Sequence, residues 1–134
     1  MNFANTAGCL IMERLDDRAL EDVAGYFRAL SVPLRLKILN ALRQGERNVT
    51  ELTEACGCSQ ANVSKHLALL AQGGLIEKAP RGTSTYYRIA DPKIYHLCDL
   101  VCGQIGKRYA GQSDLHHMFL AAFAPKRKAP AVKR

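Results

Sequence analysis

The sequence contains no apolar run long enough to cross a membrane and no recognisable targeting segment at its start. No stretch approaches the ~18 consecutive apolar residues of a spanning helix. The first residues also lack the basic start and apolar run of a secretory signal. These absences predict a cytoplasmic protein without a membrane partner, in which the five cysteines are reduced thiols rather than disulfides.

The residue sets on which most enzyme classes depend are also missing. The sequence shows no carboxylate pair, glycine-rich phosphate loop or nucleophile–base set. Cys56 and Cys58 are separated by one residue, whereas a thioredoxin-like redox motif needs two, beside a βαβ pattern. We therefore predict that the chain is not an enzyme, and keep a small thiol reductase using these two cysteines as an alternative.

Length and charge favour a single small domain with a local basic surface. The 134 residues can enclose one hydrophobic core. The formal charge is +7, but five of those charges lie in residues 126–134, so residues 1–125 carry only +2. The composition predicts a partly flexible segment at residues 1–14, the domain at 15–123 and a basic disordered tail at 124–134. The tail is either a solubilising end or an arm that adds salt-dependent phosphate contacts.

A capped amphipathic helix begins after Ser59 and ends at a pair of glycines. Ser59 is a good N-cap, since its hydroxyl can accept a hydrogen bond from an unpaired first-turn amide. Val63, Leu67 and Leu70 recur at helical spacing, which predicts a buried stripe. Gly73-Gly74 ends the helix because glycine adopts the left-handed conformation without strain.

The opposite side of this helix is short, polar and nearly free of carboxylates, so it can approach a phosphate backbone closely. Gln60 and Asn62 can read base edges. Ser64, Lys65 and His66 suit phosphate oxygens, which position a protein on a duplex. The pattern predicts a helix that enters the DNA major groove.

A shorter helix and a turn precede it. Asn48 and Glu51 form a plausible capping pair at its start, and Gly57 lies in the turn where helix-turn-helix motifs commonly carry glycine. Four apolar residues give this helix a short stripe: Val49, Leu52, Ala55 and Cys56.

Two short strands are predicted after the second helix. Leu75–Lys78 and Thr85–Ile89 alternate between apolar and polar residues, and the turn at Pro80–Thr83 places Arg81 at its tip. The order of elements predicts a mainly α fold with a small β-hairpin wing, a winged helix-turn-helix. The predicted DNA contacts are Ser59, Gln60, Asn62, Ser64, Lys65, His66, Arg81 and Thr83.

Residues 49–89 resemble the DNA-binding core of the ArsR/SmtB family of bacterial repressors. The resemblance rests on V-S-K-H-L at Val63–Leu67, G-L-I-E-K at Gly74–Lys78 and R-G-x-x-x-Y-Y-R at Arg81–Arg88, in that order. LSVPLRLKILNAL at Leu30–Leu42 is similar to the family's preceding helix. The resemblance implies a homodimeric repressor that needs no cofactor to bind its double-stranded DNA operator and leaves it when an inducer binds.

The helices that flank this core carry further apolar surface. The sequence predicts a first helix from about Leu15 to Leu30, a long helix from Pro92 to about Tyr109 and a last helix at Asp114–Phe123. The long helix has a broad apolar stripe that a small monomer could not cover: Ile94, Leu97, Cys98, Val101, Cys102 and Ile105. The first and long helices are the predicted dimer surface, which is also where the family dimerises. A two-fold dimer places its recognition helices about one DNA turn (~34 Å) apart, so we expect a palindromic operator.

Cys98 and Cys102 are the predicted sensor of the inducer. They are four residues apart on one helix, so their Cβ atoms lie about 5–6 Å apart. Two thiolates can hold one soft ion but cannot complete a site, since zinc prefers four ligands and trivalent arsenic usually takes three thiolates. Cys9 of either subunit could supply a third sulfur. The predicted inducer is As(III) or Sb(III), or Zn or Cd; alternatively, Cys98 and Cys102 are small apolar residues of an interface.

Neither of the family's well-known metal sites is intact in this chain. The arsenic-type site has cysteines where this sequence has Asn48–Thr50. Asp91 matches the first ligand of the zinc-type site, but other ligand positions hold Lys93, Gln104 and Lys107. Two further functions therefore stay open: a redox- or persulfide-sensing repressor of the same fold, and a DNA-binding protein without an inducer.

Overall fold

A computed structural model of the chain describes residues 10–109, 117–119 and 121–122. Within them, the elements follow in the order α1 (Leu10–Glu13), α2 (Asp17–Ala29), α3 (Pro33–Ala41), a 3₁₀ helix (Leu42–Gln44), β1 (Arg47–Asn48), α4 (Val49–Cys56), α5 (Gln60–Gln72), β2 (Ile76–Arg81), β3 (Ser84–Ile89) and α6 (Lys93–Arg108). The chain divides into two compact units, with the boundary after Asp91. No helix among the described residues is both long and apolar enough to span a membrane.

Local sequence signals fix the start and end of α4. The Asn48 side chain accepts a hydrogen bond from the Glu51 amide at 2.8 Å, and the Glu51 carboxylate accepts one from the Asn48 amide at 3.3 Å. The predicted capping pair is therefore confirmed as a full capping box. Gly57 ends the helix in the left-handed conformation, with φ 66°, which glycine adopts without the steric cost that other residues incur.

The core of the first unit lies between α3, α4, α5 and the sheet. Its most deeply buried side chains are Ile38, Leu52, Val63, Leu67, Leu70 and Ile76. This confirms the apolar stripe predicted for α5. Full burial of each such side chain contributes about 1.5–3 kcal/mol, so this small cluster fixes where α5 lies and which of its sides faces outward.

The sheet has three antiparallel strands in the order β1-β3-β2. The sequence predicted only two of these strands. The strand it missed is Arg47–Asn48, which pairs with Tyr86–Tyr87. The prediction that Arg81 lies at the turn tip was also wrong. Arg81 is the last residue of β2 and pairs with Ser84, which leaves Gly82 and Thr83 as the whole turn.

In the second unit, α6 follows Pro92 as predicted. Residues 117–119 and 121–122 are helical, and the remaining parts of the predicted last helix lie outside the described residues. The rings of Tyr109 and Phe119 stack with centroids 6.3 Å apart. A Cβ at Gly106 would lie 3.3 Å from the Cβ of Phe119, so the glycine permits a close approach to α6.

Candidate nucleic-acid interface

The outer side of α5 forms an exposed polar surface. Ser59 accepts a hydrogen bond from the Asn62 amide at 3.2 Å, which caps the helix and confirms the predicted N-cap. Because Val63, Leu67 and Leu70 face the core, the residues between them are directed outward. Those exposed residues are Gln60, Ala61, Asn62, Ser64, Lys65 and Ala68.

This surface suits close approach to a duplex. Its side chains are short or amide-bearing apart from Lys65, and α5 contains no carboxylate. The helix N-terminus adds unpaired amides and a positive end of the helix dipole, both of which attract phosphate. We define the recognition surface as Ser59, Gln60, Ala61, Asn62, Ser64, Lys65 and Ala68.

His66 differs from the other predicted contacts on α5. It is half-buried, and its Nδ1 atom is enclosed without a hydrogen-bond partner among the residues described. Burial lowers the pKa of His66, and the positive charges of Arg35 and Lys65 lower it further. The neutral imidazole is thus favoured near neutral pH. A phosphate contact through His66 remains a prediction. A neutral imidazole rather than a cation would make that contact.

The wing presents a second exposed surface beside its turn. Arg81 and Thr83 are both exposed. The Arg81 guanidinium forms an ion pair with Glu46 and lies over the Tyr86 ring, 4.7 Å from its centroid. Arg81 is therefore held by an internal anion, and a phosphate contact at this position would replace that carboxylate.

Arg88 extends the same charge network along β3. Its Nε atom donates to Glu77 Oε2 at 3.0 Å, and its Nη1 atom lies 3.6 Å from Glu46 Oε1. The hydrogen bond and charge of Glu77 raise the pKa of Arg88, with Glu46 adding to the effect. Glu46 is therefore shared by two arginines of the wing. Sequence analysis missed this network because Glu46 lies 35 residues from Arg81 in the chain.

The predicted sensor residues lie on α6. Cys98 and Cys102 are both half-buried thiols one helical turn apart. Within the described ranges, no group of three or more His, Cys, Asp or Glu side chains is arranged to hold a metal ion. The third predicted ligand, Cys9, lies outside those ranges. The two thiols alone therefore supply half of a tetrahedral zinc site or two of the three thiolates that arsenic takes.

Cys56 and Cys58 lie at the end of α4 and in the following turn. Cys56 is buried in the core, as the apolar pattern predicts, and Cys58 is half-buried. Burial chiefly raises the pKa of the Cys56 thiol, the neighbouring Cys58 raises it further and Lys37 lowers it. The Cys58 thiol donates to the Cys56 carbonyl oxygen at 3.4 Å. A raised thiol pKa disfavours the reactive thiolate, so the geometry favours packing for Cys56.

Comparison with known proteins points to one family of regulators. Residues 32–78 match the family model described as bacterial regulatory protein, arsR family. The chain is 37% identical over 102 residues to the HTH-type transcriptional regulator NmtR of Mycobacterium tuberculosis, covering 76% of this chain and 85% of that protein. It is 35% identical over 91 residues to a probable mercury resistance operon repressor of Streptomyces lividans, covering 68% and 73% of the two chains.

A solved structure supports the same assignment. The fold is similar, with a TM-score of 0.60 and 37% sequence identity, to a homodimeric winged helix-turn-helix DNA-binding domain from Mycobacterium bovis. The match covers 72% of this chain and 91% of that domain, which is described as a possible ArsR-family transcriptional regulator. The predicted winged helix-turn-helix fold is confirmed.

Proposed function

The chain belongs to the arsR family of bacterial regulatory proteins, and we propose that it is a homodimeric repressor released from a palindromic operator by a thiol-seeking inducer. It is a transcriptional regulator rather than an enzyme. The DNA-binding proposal rests on one observation: the recognition surface of α5 is exposed because the apolar stripe on the other side of the helix is buried in the core. The cytoplasm is the proposed compartment.

The recognition surface and the wing make different proposed contacts with the operator. Gln60 and Asn62 read base edges in the major groove, because their amides can both donate and accept hydrogen bonds. Ser59, Ser64 and Lys65 position α5 on phosphates. The remaining proposed contacts are His66, as a neutral donor or acceptor, and Arg81 and Thr83 of the wing.

Exposed apolar side chains support the homodimer. On α2, Phe27 is 50% exposed. On α6, Leu100 and Val101 are 58% and 47% exposed. Contiguous exposed apolar surface is typical of association sites, and the similar domain from Mycobacterium bovis is homodimeric. A second copy covering both helices brings two α5 helices to one operator.

The proposed sensor is the thiol pair of Cys98 and Cys102, with Cys9 as a third sulfur. Thiolates select soft ions, and the similar Streptomyces lividans protein is named for mercury resistance. The candidate inducers are therefore As(III), Sb(III), Zn, Cd and Hg(II). Ligation would repack the dimer-forming α6 and change the spacing of the two α5 helices. A coupling free energy of only ~1–3 kcal/mol changes operator affinity 5–150-fold.

A gel-shift titration on the promoter of the chain's own operon tests the function. Reduced protein should bind this promoter, and separate additions of arsenite, antimonite, zinc, cadmium, mercury, peroxide and persulfide should identify the inducer. Release by peroxide or persulfide alone would favour the redox-sensing alternative. Failure of the protein to prefer its own promoter over unrelated DNA would contradict the repressor function.

Paired cysteine variants test the sensor separately. Cys98→Ser combined with Cys102→Ser should bind the operator like the natural chain and no longer be released by the inducer. Cys58→Ser is the matched control and should be released normally. Normal release of the double variant would contradict the sensor assignment while leaving the DNA-binding proposal intact.

A further inference from the structure

A cleft in the first unit has no part in DNA contact or thiol chemistry. Its volume is about 580 Å³, within the ~300–1,000 Å³ typical of small-molecule sites. Residues from α2, α3 and the end of α5 line it, among them Gly25, Ala29, Arg35, Leu69 and Gln72. We infer that this cleft binds a small organic acid, with the carboxylate held by Arg35 and the apolar body against Leu69 and Ala29.

The charges of the lining favour an anion. The lining contains two arginines, Arg28 and Arg35, and a single carboxylate, Asp22. The Nη2 atom of Arg35 donates to the Arg28 carbonyl oxygen at 3.3 Å, which holds the guanidinium against the end of α2. A carboxylate is the group that a guanidinium binds most specifically.

Gly25 lines the cleft without a side chain of its own. It lies inside α2, where glycine destabilises a helix by about 0.5–1 kcal/mol relative to alanine. No packing contact among the described residues requires this glycine, since an added Cβ would meet none of their atoms within 4 Å. By contrast, a Cβ at Gly73 would lie 3.4 Å from the Leu69 carbonyl oxygen and 3.7 Å from the Ala29 Cβ. A larger side chain at position 25 would therefore extend into open space at the cleft.

The cleft adjoins the recognition helix. Leu69 and Gln72 belong to the last turns of α5. His66 lies on α5 one turn before Leu69. The positive charge of Arg35, on α3, helps to lower the pKa of His66. A bound carboxylate would offset that positive charge beside α5. Occupancy of the cleft can thus influence the helix that contacts DNA without involving any cysteine.

Amide NMR spectra of the isotope-labelled full chain, titrated with benzoate, test this inference. Benzoate should cause saturable shifts concentrated at Gly25, Ala29, Gln72 and Gly73, whereas the uncharged analogue benzyl alcohol should not. Equal shifts with both probes, or shifts scattered over the basic surface, would overturn the site. The titration uses protein without DNA, so its failure leaves the operator-binding result untouched.

Variants at Arg35 and Gly25 make the test specific. Arg35→Gln should weaken benzoate binding about tenfold or more, because it removes a charge-assisted bond. Gly25→Leu should block binding by filling the cleft while retaining a good helix former. Arg18→Gln, which removes an exposed arginine of α2 outside the cleft lining, should bind normally. Unchanged benzoate affinity in folded Gly25→Leu would refute the proposal even if Arg35→Gln failed to fold.

Discussion

Replacing Glu46 with glutamine should tighten DNA binding, because Glu46 holds an arginine that the proposed complex needs. Arg81 forms an ion pair with this carboxylate, and the two side chains are 60% and 23% exposed. A contact between Arg81 and a phosphate must first break that pair. In Glu46→Gln the guanidinium is released in advance, and one negative charge beside the wing is removed.

The exposure of the pair sets the size of the effect. Exposed ion pairs contribute about 0.2–1 kcal/mol, and the partial burial of Glu46 places this pair in the upper part of that range. An energy of ~0.5–1 kcal/mol corresponds to DNA binding about 2–5 times tighter. If Arg81 gains a phosphate contact, the slope of log affinity against log salt should steepen by about 0.9.

Fluorescence anisotropy of a labelled promoter fragment, measured between about 50 and 200 mM salt, gives both quantities. The matched control is Glu21→Gln, which removes the same charge from an exposed position on α2. If Glu46→Gln bound no more tightly than Glu21→Gln, the role of Arg81 in DNA contact would be refuted. Urea unfolding of both variants checks that their stabilities are comparable.

Three further substitutions test the recognition helix and its surroundings. Lys65→Glu should weaken binding to all DNA sequences alike and reduce the salt slope by about one unit, as measured by anisotropy; loss of affinity for one sequence only would contradict a phosphate role. Ser59→Ala should lower the free energy of unfolding by about 0.5–2 kcal/mol in urea titrations, because it removes the N-cap bond. The free energy of unfolding should fall as the pH drops below 6.5 and on through the lowered pKa of folded His66, because the imidazole of the unfolded chain binds a proton more readily. His66→Gln should remove this part of the pH dependence of stability. An unchanged pH dependence in the variant would contradict the prediction.

Much of the helix-turn-helix follows from local sequence signals. Asn48, Glu51, Gly57 and Ser59 each act within three or four residues of their own position, so their capping roles can be deduced without knowledge of the fold. The apolar stripe of α5 can also be deduced locally, because its residues recur at the spacing of a single helix. The capping residues of α4 and α5 and the buried stripe of α5 were confirmed for this reason, whereas Ala55 of the stripe predicted for α4 is exposed.

The features that sequence analysis missed depend on residues far apart in the chain. The two-residue strand Arg47–Asn48 exists only because Tyr86–Tyr87 pairs with it. The Glu46–Arg81 ion pair depends on the same pairing of distant segments. The cleft lined by Arg35 combines three helices. Such contacts carry no periodic signal, so they become visible only when the fold brings their members together.

Site-specific photo-crosslinking measures most directly whether the recognition surface lies against DNA. A photoreactive phenylalanine derivative in place of Ala61, which is exposed on α5, should crosslink to the promoter fragment. The same group in place of Ala24, which is exposed on α2, should not. Crosslinking at position 24 but not at position 61, in protein that still binds the fragment, would contradict the proposed mode of DNA binding.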